Sequence, residues 1–167
     1  MSATWLYQHV NNPAWLKKGV ERTLKDQWIQ TWSSNILTKG ICSSYNEFKS
    51  LYDMEDYLLK LNKNVRVPLT KLRANNNRLP IVTGRYQNIS REERVCTKCN
   101  LNVIGNEYHI MLVCPNESIA DLRNKYVPPY YRNNPTKRKF IMLMQSDDIK
   151  TLNSLSFFLR GVFKLFR

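Results

Sequence analysis

The sequence predicts a mainly α fold: a helical N-terminal region, a small cysteine-rich loop and a helical C-terminal tail. Three observations predict it. Leu16, Val20, Leu24, Trp28 and Trp32 recur at every fourth residue, the spacing of one face of a helix. Ile149, Leu152, Leu155, Leu159, Phe163 and Phe166 repeat the helical period near the end of the chain. Between them, three of the four cysteines and one of the two histidines crowd into Val95–Cys114, "VCTKCNLNVIGNEYHIMLVC".

The first stripe is expected to form a long helix opened near Pro13 and closed near Gly40, with its tryptophans in the core. "SSYNEFKSLYDMEDYLLKLN" predicts a second helix, capped by Ser43 or Ser44 with Glu47 completing a capping box. It offers Tyr45, Phe48, Leu51, Tyr52, Leu58 and Leu59 to the core. From residue 63 the pattern breaks. Pro68, Pro80 and Gly84 punctuate it into short pieces, with a brief helix over Leu69–Ala74 and a turn over Asn75, Asn76 and Asn77. After the cysteine loop, "NESIADLRNKY" predicts a helix stopped by Pro128 and Pro129, and "PTKRKFIMLMQS" another starting at Pro135. The last helix takes Ser146 as its cap, with Asp147 and Asp148 at the positive end of its dipole. Two regions result: a helical region over 1–62, and a region over 63–167 holding a basic segment, the cysteine loop (95–115) and the C-terminal helices.

Composition narrows the function. The chain has 167 residues, 43% of them hydrophobic, enough to bury a core. The N-terminus lacks the pattern of a secretory signal, and no apolar run approaches the ~18–20 residues needed to span a bilayer. An intracellular protein, nuclear or cytoplasmic and without membrane attachment, is expected, where thiols stay reduced. The formal charge is +13, and it is uneven. Residues 1–62 carry 7 Lys/Arg against 6 Asp/Glu, residues 63–100 carry 9 against 2, and residues 101–167 carry 10 against 5. A basic patch beside the cysteine loop attracts a polyanion, and nucleic acid is the commonest one inside a cell. A solubilising surface or attraction to anionic lipid are the bland alternatives.

The cysteine loop reads Cys96-x2-Cys99-x9-His109-x4-Cys114. Two cysteines two residues apart can grip one ion from a single turn, and a His and a Cys four apart can do so from one helical face or a tight loop. Four such ligands complete the tetrahedron that Zn²⁺ prefers in closed structural sites, with Gly105 and Asn106 turning the chain between the halves. Val103, Ile104, Ile110, Met111 and Val113 add a few apolar contacts, too few to fold the loop alone. Buried thiols without a metal are the main alternative. A redox pair would want a strand before Cys96, which "SREER" does not offer. A catalytic zinc would leave a ligand position open beside a general base, and Glu107 is the one carboxylate inside the motif. Cys42 stands alone as a small buried side chain, and His9 has no partner. One structural Zn²⁺ is expected.

"LTKLRANNNRLPIVTGRY", "REERVCTKCN" and "NEYHIMLVCPN" together resemble the C-terminal region of non-LTR retrotransposon reverse transcriptases, where a basic segment with a Gly-Arg-Tyr element precedes a Cys-Cys-His-Cys zinc knuckle and a short helical tail. The resemblance covers residues 65–167. It implies that Cys96, Cys99, His109 and Cys114 ligate zinc. It also implies that Lys71, Arg73, Arg78, Arg85, Arg91 and Arg94, with Lys98 inside the knuckle, contact phosphates of RNA or DNA, and that Tyr86 stacks on a base. Asn77 departs from it, since family members commonly carry His there. No Asp-Asp pair in a strand–turn–strand setting and no endonuclease-like cluster is present, so a binding module without enzymatic activity is expected. The competing expectation is a zinc-stapled adaptor that docks a protein such as a polymerase body, through an apolar patch around Phe157, Phe158 and Phe163.

Overall fold

A computed structural model describes residues 13–39, 44–49 and 51–167. Backbone contacts divide the chain into two compact units, residues 1–40 and 41–167; the sequence suggested a division after residue 62. The described residues are mainly helical and contain no strand, only an isolated antiparallel bridge between Val95 and Ile104. His9 and Cys42 lie outside the described residues, as does Ser43.

In the first unit, α1 spans Pro13–Thr38. Its apolar stripe is not core as expected. Val20, Leu24 and Trp28 are exposed, Trp28 to 62%, and Leu16 and Trp32 are only half-buried. Geometry explains the difference: each four-residue step advances about 40° around the axis, so the row from Leu16 to Trp32 winds through about 160° instead of holding one face. No other described element of this unit covers it.

In the second unit the predicted helix over residues 44–62 breaks into a 3-10 turn, Tyr45–Glu47, and one short helix, α2, Asp56–Lys60. The capping box does not form, because the Ser44 hydroxyl donates to the Glu107 carboxylate at 2.7 Å. Phe48 is buried and Tyr45 and Leu58 pack beside it, while Leu51, Tyr52 and Leu59 face solvent.

The next helix, α3, runs over Lys63–Arg73 with Pro68 inside it, nearly twice the length the sequence suggested. Asn62 caps it by accepting from the Val65 amide at 3.1 Å. Pro68 has no N–H for the Asn64 carbonyl one turn back. The Arg160 guanidinium fills that place, so the proline binds two helices together instead of ending one. A turn with Asn75 in the left-handed region leads to α4, Pro80–Tyr86. Gly84 lies inside α4, where it was expected to punctuate. An added Cβ there would meet Arg94 Cγ at 2.5 Å, so glycine lets the arginine stem lie across the helix.

Past the cysteine loop come α5 (Glu117–Tyr126), α6 (Pro129–Arg132), α7 (Lys137–Met144) and α8 (Ile149–Leu165). Asp148, not Ser146, caps α8, accepting from the Thr151 amide at 2.8 Å. Helix α8 organises the core. It packs on α3 and α5, burying Leu152, Leu155, Phe158, Leu159 and Val162 in one cluster with Leu69, Leu72 and Ile119. Ile149 at its start is exposed and Phe163 half-buried. No helix among the described residues is long and apolar enough to cross a membrane.

Candidate metal centre

The cysteine loop is a small hairpin closed by a wide turn. The Cys96 amide donates to Val103 O and the Gly105 amide to Arg94 O, both at 2.8 Å, which sets the first two cysteines at one end. Asn102, in the left-handed region, turns the chain back. Gly105 seats the hairpin on α4: a Cβ there would stand 2.7 Å from Pro80 Cγ and 3.1 Å from Cys96 Cα. Asn106 then starts the second half by accepting from the His109 amide at 2.9 Å. His109–Val113 forms a π-helical turn, closed by the Cys114 amide on His109 O at 2.7 Å. The extra residue in that turn aims His109 and Cys114 at the same point as Cys96 and Cys99.

The four ligand atoms lie within 4.8 Å of one another and can hold a metal ion. Cys96 Sγ and Cys114 Sγ are 3.9 Å apart, and Cys99 Sγ is 3.4 Å from His109 Nε2. A tetrahedron with metal–sulfur bonds of about 2.3 Å and metal–nitrogen bonds of about 2.0–2.1 Å has edges of about 3.8 Å between sulfurs and 3.6 Å between sulfur and nitrogen. All three cysteines are free thiols, so no disulfide competes. Cys96, Cys114 and His109 are buried, and Cys99 is partly open. Burial pushes the Cys114 thiol up to about 12 and raises Cys96 as well. It also lowers His109, favouring the neutral imidazole that ligates metal. Thiols raised in this way stay neutral alone, and ionising them together takes a cation such as a metal ion.

Around the ligands stands a shell that spacing did not reveal. Arg123 of α5 is buried and donates through Nε to Met111 O at 2.9 Å, and through one terminal nitrogen to Cys114 O at 2.7 Å and Ile110 O at 3.4 Å. One guanidinium thus collects the carbonyls that the π turn leaves unpaired. Glu107, 3% exposed, is not in the ligand cluster. Its carboxylate accepts from Ser44, and burial raises its pKa.

The expected phosphate contacts separate into two groups. Arg73 is a correction: it is 7% exposed, ion-paired with Glu55, bonded to Met144 O, and stacked 4.5 Å from the Tyr57 ring centroid. It lies in the core because the helix face that carries Leu69 and Leu72 carries it too. Arg94 is likewise used internally, donating to Ile89 O at 3.0 and 2.8 Å and to Ile81 O at 3.2 Å. Arg85 is half-buried, with its guanidinium 4.9 Å from the Tyr86 ring centroid. Lys71, Arg78, Arg91, Lys98 and Tyr86 are exposed, Tyr86 to 71%. Lys98 rests over the Phe166 ring at 5.4 Å. Lys71 and Arg78 meet Arg160, Lys164 and Arg167 around a cavity of about 770 Å³ between α3 and α8. The signal for those last three was their spacing along one helix, interleaved with core residues. No family model, no curated protein and no solved structure matches this chain.

Proposed function

We propose that the chain is a nucleic-acid-binding module in which one structural Zn²⁺, held by Cys96, Cys99, His109 and Cys114, staples a basic helical fold. The observation that carries it is a closed three-cysteine, one-histidine set beside an excess of cations, 26 Lys/Arg against 13 Asp/Glu. Bound zinc supplies local folding energy, on the order of 10–16 kcal/mol in small zinc domains. The chain's own residues position it: the hairpin brings Cys96 and Cys99 together, the π turn brings His109 and Cys114, and Arg123 holds the turn. Exposed Lys and Arg then supply salt-sensitive phosphate contacts. The resemblance to the tail of non-LTR retrotransposon reverse transcriptases supports the same reading, with RNA or DNA as partner in the nucleus or cytoplasm. No reaction is assigned to the chain.

The test is zinc content of the purified protein, with binding to short single- and double-stranded RNA and DNA at two salt concentrations. One equivalent of zinc and an affinity that falls steeply with salt support the proposal. Zinc without nucleic-acid binding favours an adaptor instead. The apolar side chains exposed on α1, Val20, Leu24 and Trp28, are the observation on that side. Of the patch first expected to serve it, Phe158 is fully buried and Phe163 half-buried, while Phe157 stacks on Tyr126 at 6.0 Å and stays 48% exposed.

A further inference from the structure

We infer that the nucleic-acid site is the trough between α3 and α8, and that it takes a single strand and not a duplex. This rests on the proposed nucleic-acid function and places it away from the knuckle. Lys71 and Arg78 on one wall face Arg160, Lys164 and Arg167 on the other, and no acidic side chain lines the space. The trough continues along α3 as a second cavity of about 400 Å³, which shares Val67, Lys71 and Asn76 with the first and adds Arg66. A series of cations along an open track suits a chain of phosphates better than a single anion.

The floor decides the form of the strand. Val67, Pro68 and Phe163 give the trough an apolar base between its charged rims. A single strand presents phosphates to the rims and unstacked bases to the floor, with Phe163 as a stacking surface. A duplex would turn only phosphates inward and leave that floor against its charged backbone. The walls are also set before any ligand arrives. Arg160 is anchored on the carbonyl that Pro68 leaves open, and the neighbouring Leu159 and Val162 are buried in the core. Anionic lipid fits less well, since a recessed trough offers a flat headgroup surface few of these cations at once.

The experiment uses the zinc-loaded full chain and fluorescence anisotropy with a single-stranded oligonucleotide, its duplex, and phosphatidylserine vesicles. Single-strand preference is expected. Arg160→Glu/Lys164→Glu should weaken binding tenfold or more and flatten the slope of log affinity against log salt by about 1.4, the share of two phosphate contacts. Lys125→Glu/Lys150→Glu, with the same change of net charge at exposed lysines that do not line the trough, should weaken it far less. Phe163→Leu should keep the salt slope but lose about fivefold or more in affinity. Circular dichroism and melting of each variant check the fold, and Arg160→Gln/Lys164→Gln repeats the test if the reversals do not fold. Equal loss in both reversal pairs, a preference for duplex, or a groove effect on vesicles alone overturns the trough while leaving the proposed function standing. A wild-type chain that binds no oligonucleotide overturns both.

Discussion

Arg123→Met removes the one side chain that gathers three carbonyls of the metal loop, and its effect can be worked from the structure. Two of its hydrogen bonds, at 2.9 and 2.7 Å, have full strength, and the third at 3.4 Å is weak. Each buried carbonyl left without a donor costs about 1–3 kcal/mol. Part is offset because the guanidinium itself no longer has to be desolvated. A net loss of about 2–4 kcal/mol follows, a large share of the ~5–15 kcal/mol that holds a domain folded. A second effect falls on the metal. Three thiolates outweigh the charge of Zn²⁺, so the loaded site is anionic and Arg123 is a buried cation directly behind it; losing such a partner lowers metal affinity by about 10–100-fold. Urea melts at saturating zinc report the first effect, and competition against a chromophoric chelator the second. Arg123→Lys separates them: it keeps the charge but cannot span the carbonyls, so affinity should recover more than stability. If Arg123→Met binds zinc within twofold of wild type and loses less than about 1 kcal/mol, the loop is held by something else.

Two further predictions test how the interior uses its polar side chains. Arg73→Met should cost about 3–5 kcal/mol by stranding the Glu55 carboxylate and Met144 O, while the protein still folded binds oligonucleotide as wild type does. Lost binding with unchanged melting would return Arg73 to the surface role its sequence context suggested. Burial raises Tyr45 and Tyr57 above the ordinary tyrosine value, with Glu55 adding to the rise at Tyr45. The fold therefore favours their neutral forms, so the stability they contribute is complete below about pH 10 and declines above it as the unfolded chain ionises first. Urea melts from pH 8 to 11 should show that decline, and Tyr45→Phe/Tyr57→Phe should flatten it; identical slopes would count against the linkage.

The four residues that can hold a metal were legible because coordination imposes spacing, and spacing survives in sequence. The shell was not, since Arg123 serves the loop through carbonyls, and any residue can supply a carbonyl. Caps at Asn62 and Asn116 form with the amides three residues on, at 3.1 and 3.2 Å, and such local chemistry is open to reading. The failures were tertiary. Pro68 looked like a stop because Arg160, which fills the place its missing N–H leaves on the Asn64 carbonyl, lies 96 residues from Asn64 along the chain. Ser44 looked like a cap until Glu107 claimed its hydroxyl. The α1 stripe misled because a strict four-residue repeat resembles one face over two turns and ceases to be one over five. Net charge located the basic segment but not its use: Arg73 and Arg94 lie within it and support the fold.

The trough and the metal loop share one core yet need not share one fate, and metal removal tests the difference. The walls of the trough are α3 and α8, which pack on each other and on the buried cluster of Leu69, Leu72, Leu159 and Val162, none of them in the loop. The loop relies on its ligands, on Arg123 and on a hairpin with a single bridge. Local stability follows such contacts, so chelation should open the loop first. Hydrogen exchange after EDTA treatment should rise by orders of magnitude over Val95–Asn116, while amides in α3 and in α8 near Leu159 stay protected. Oligonucleotide affinity should then fall by less than tenfold, because the cations at the rim remain in place. If exchange instead rises equally through α3, α8 and the loop, zinc holds the whole second unit together, and the trough exists only in the metal-bound protein.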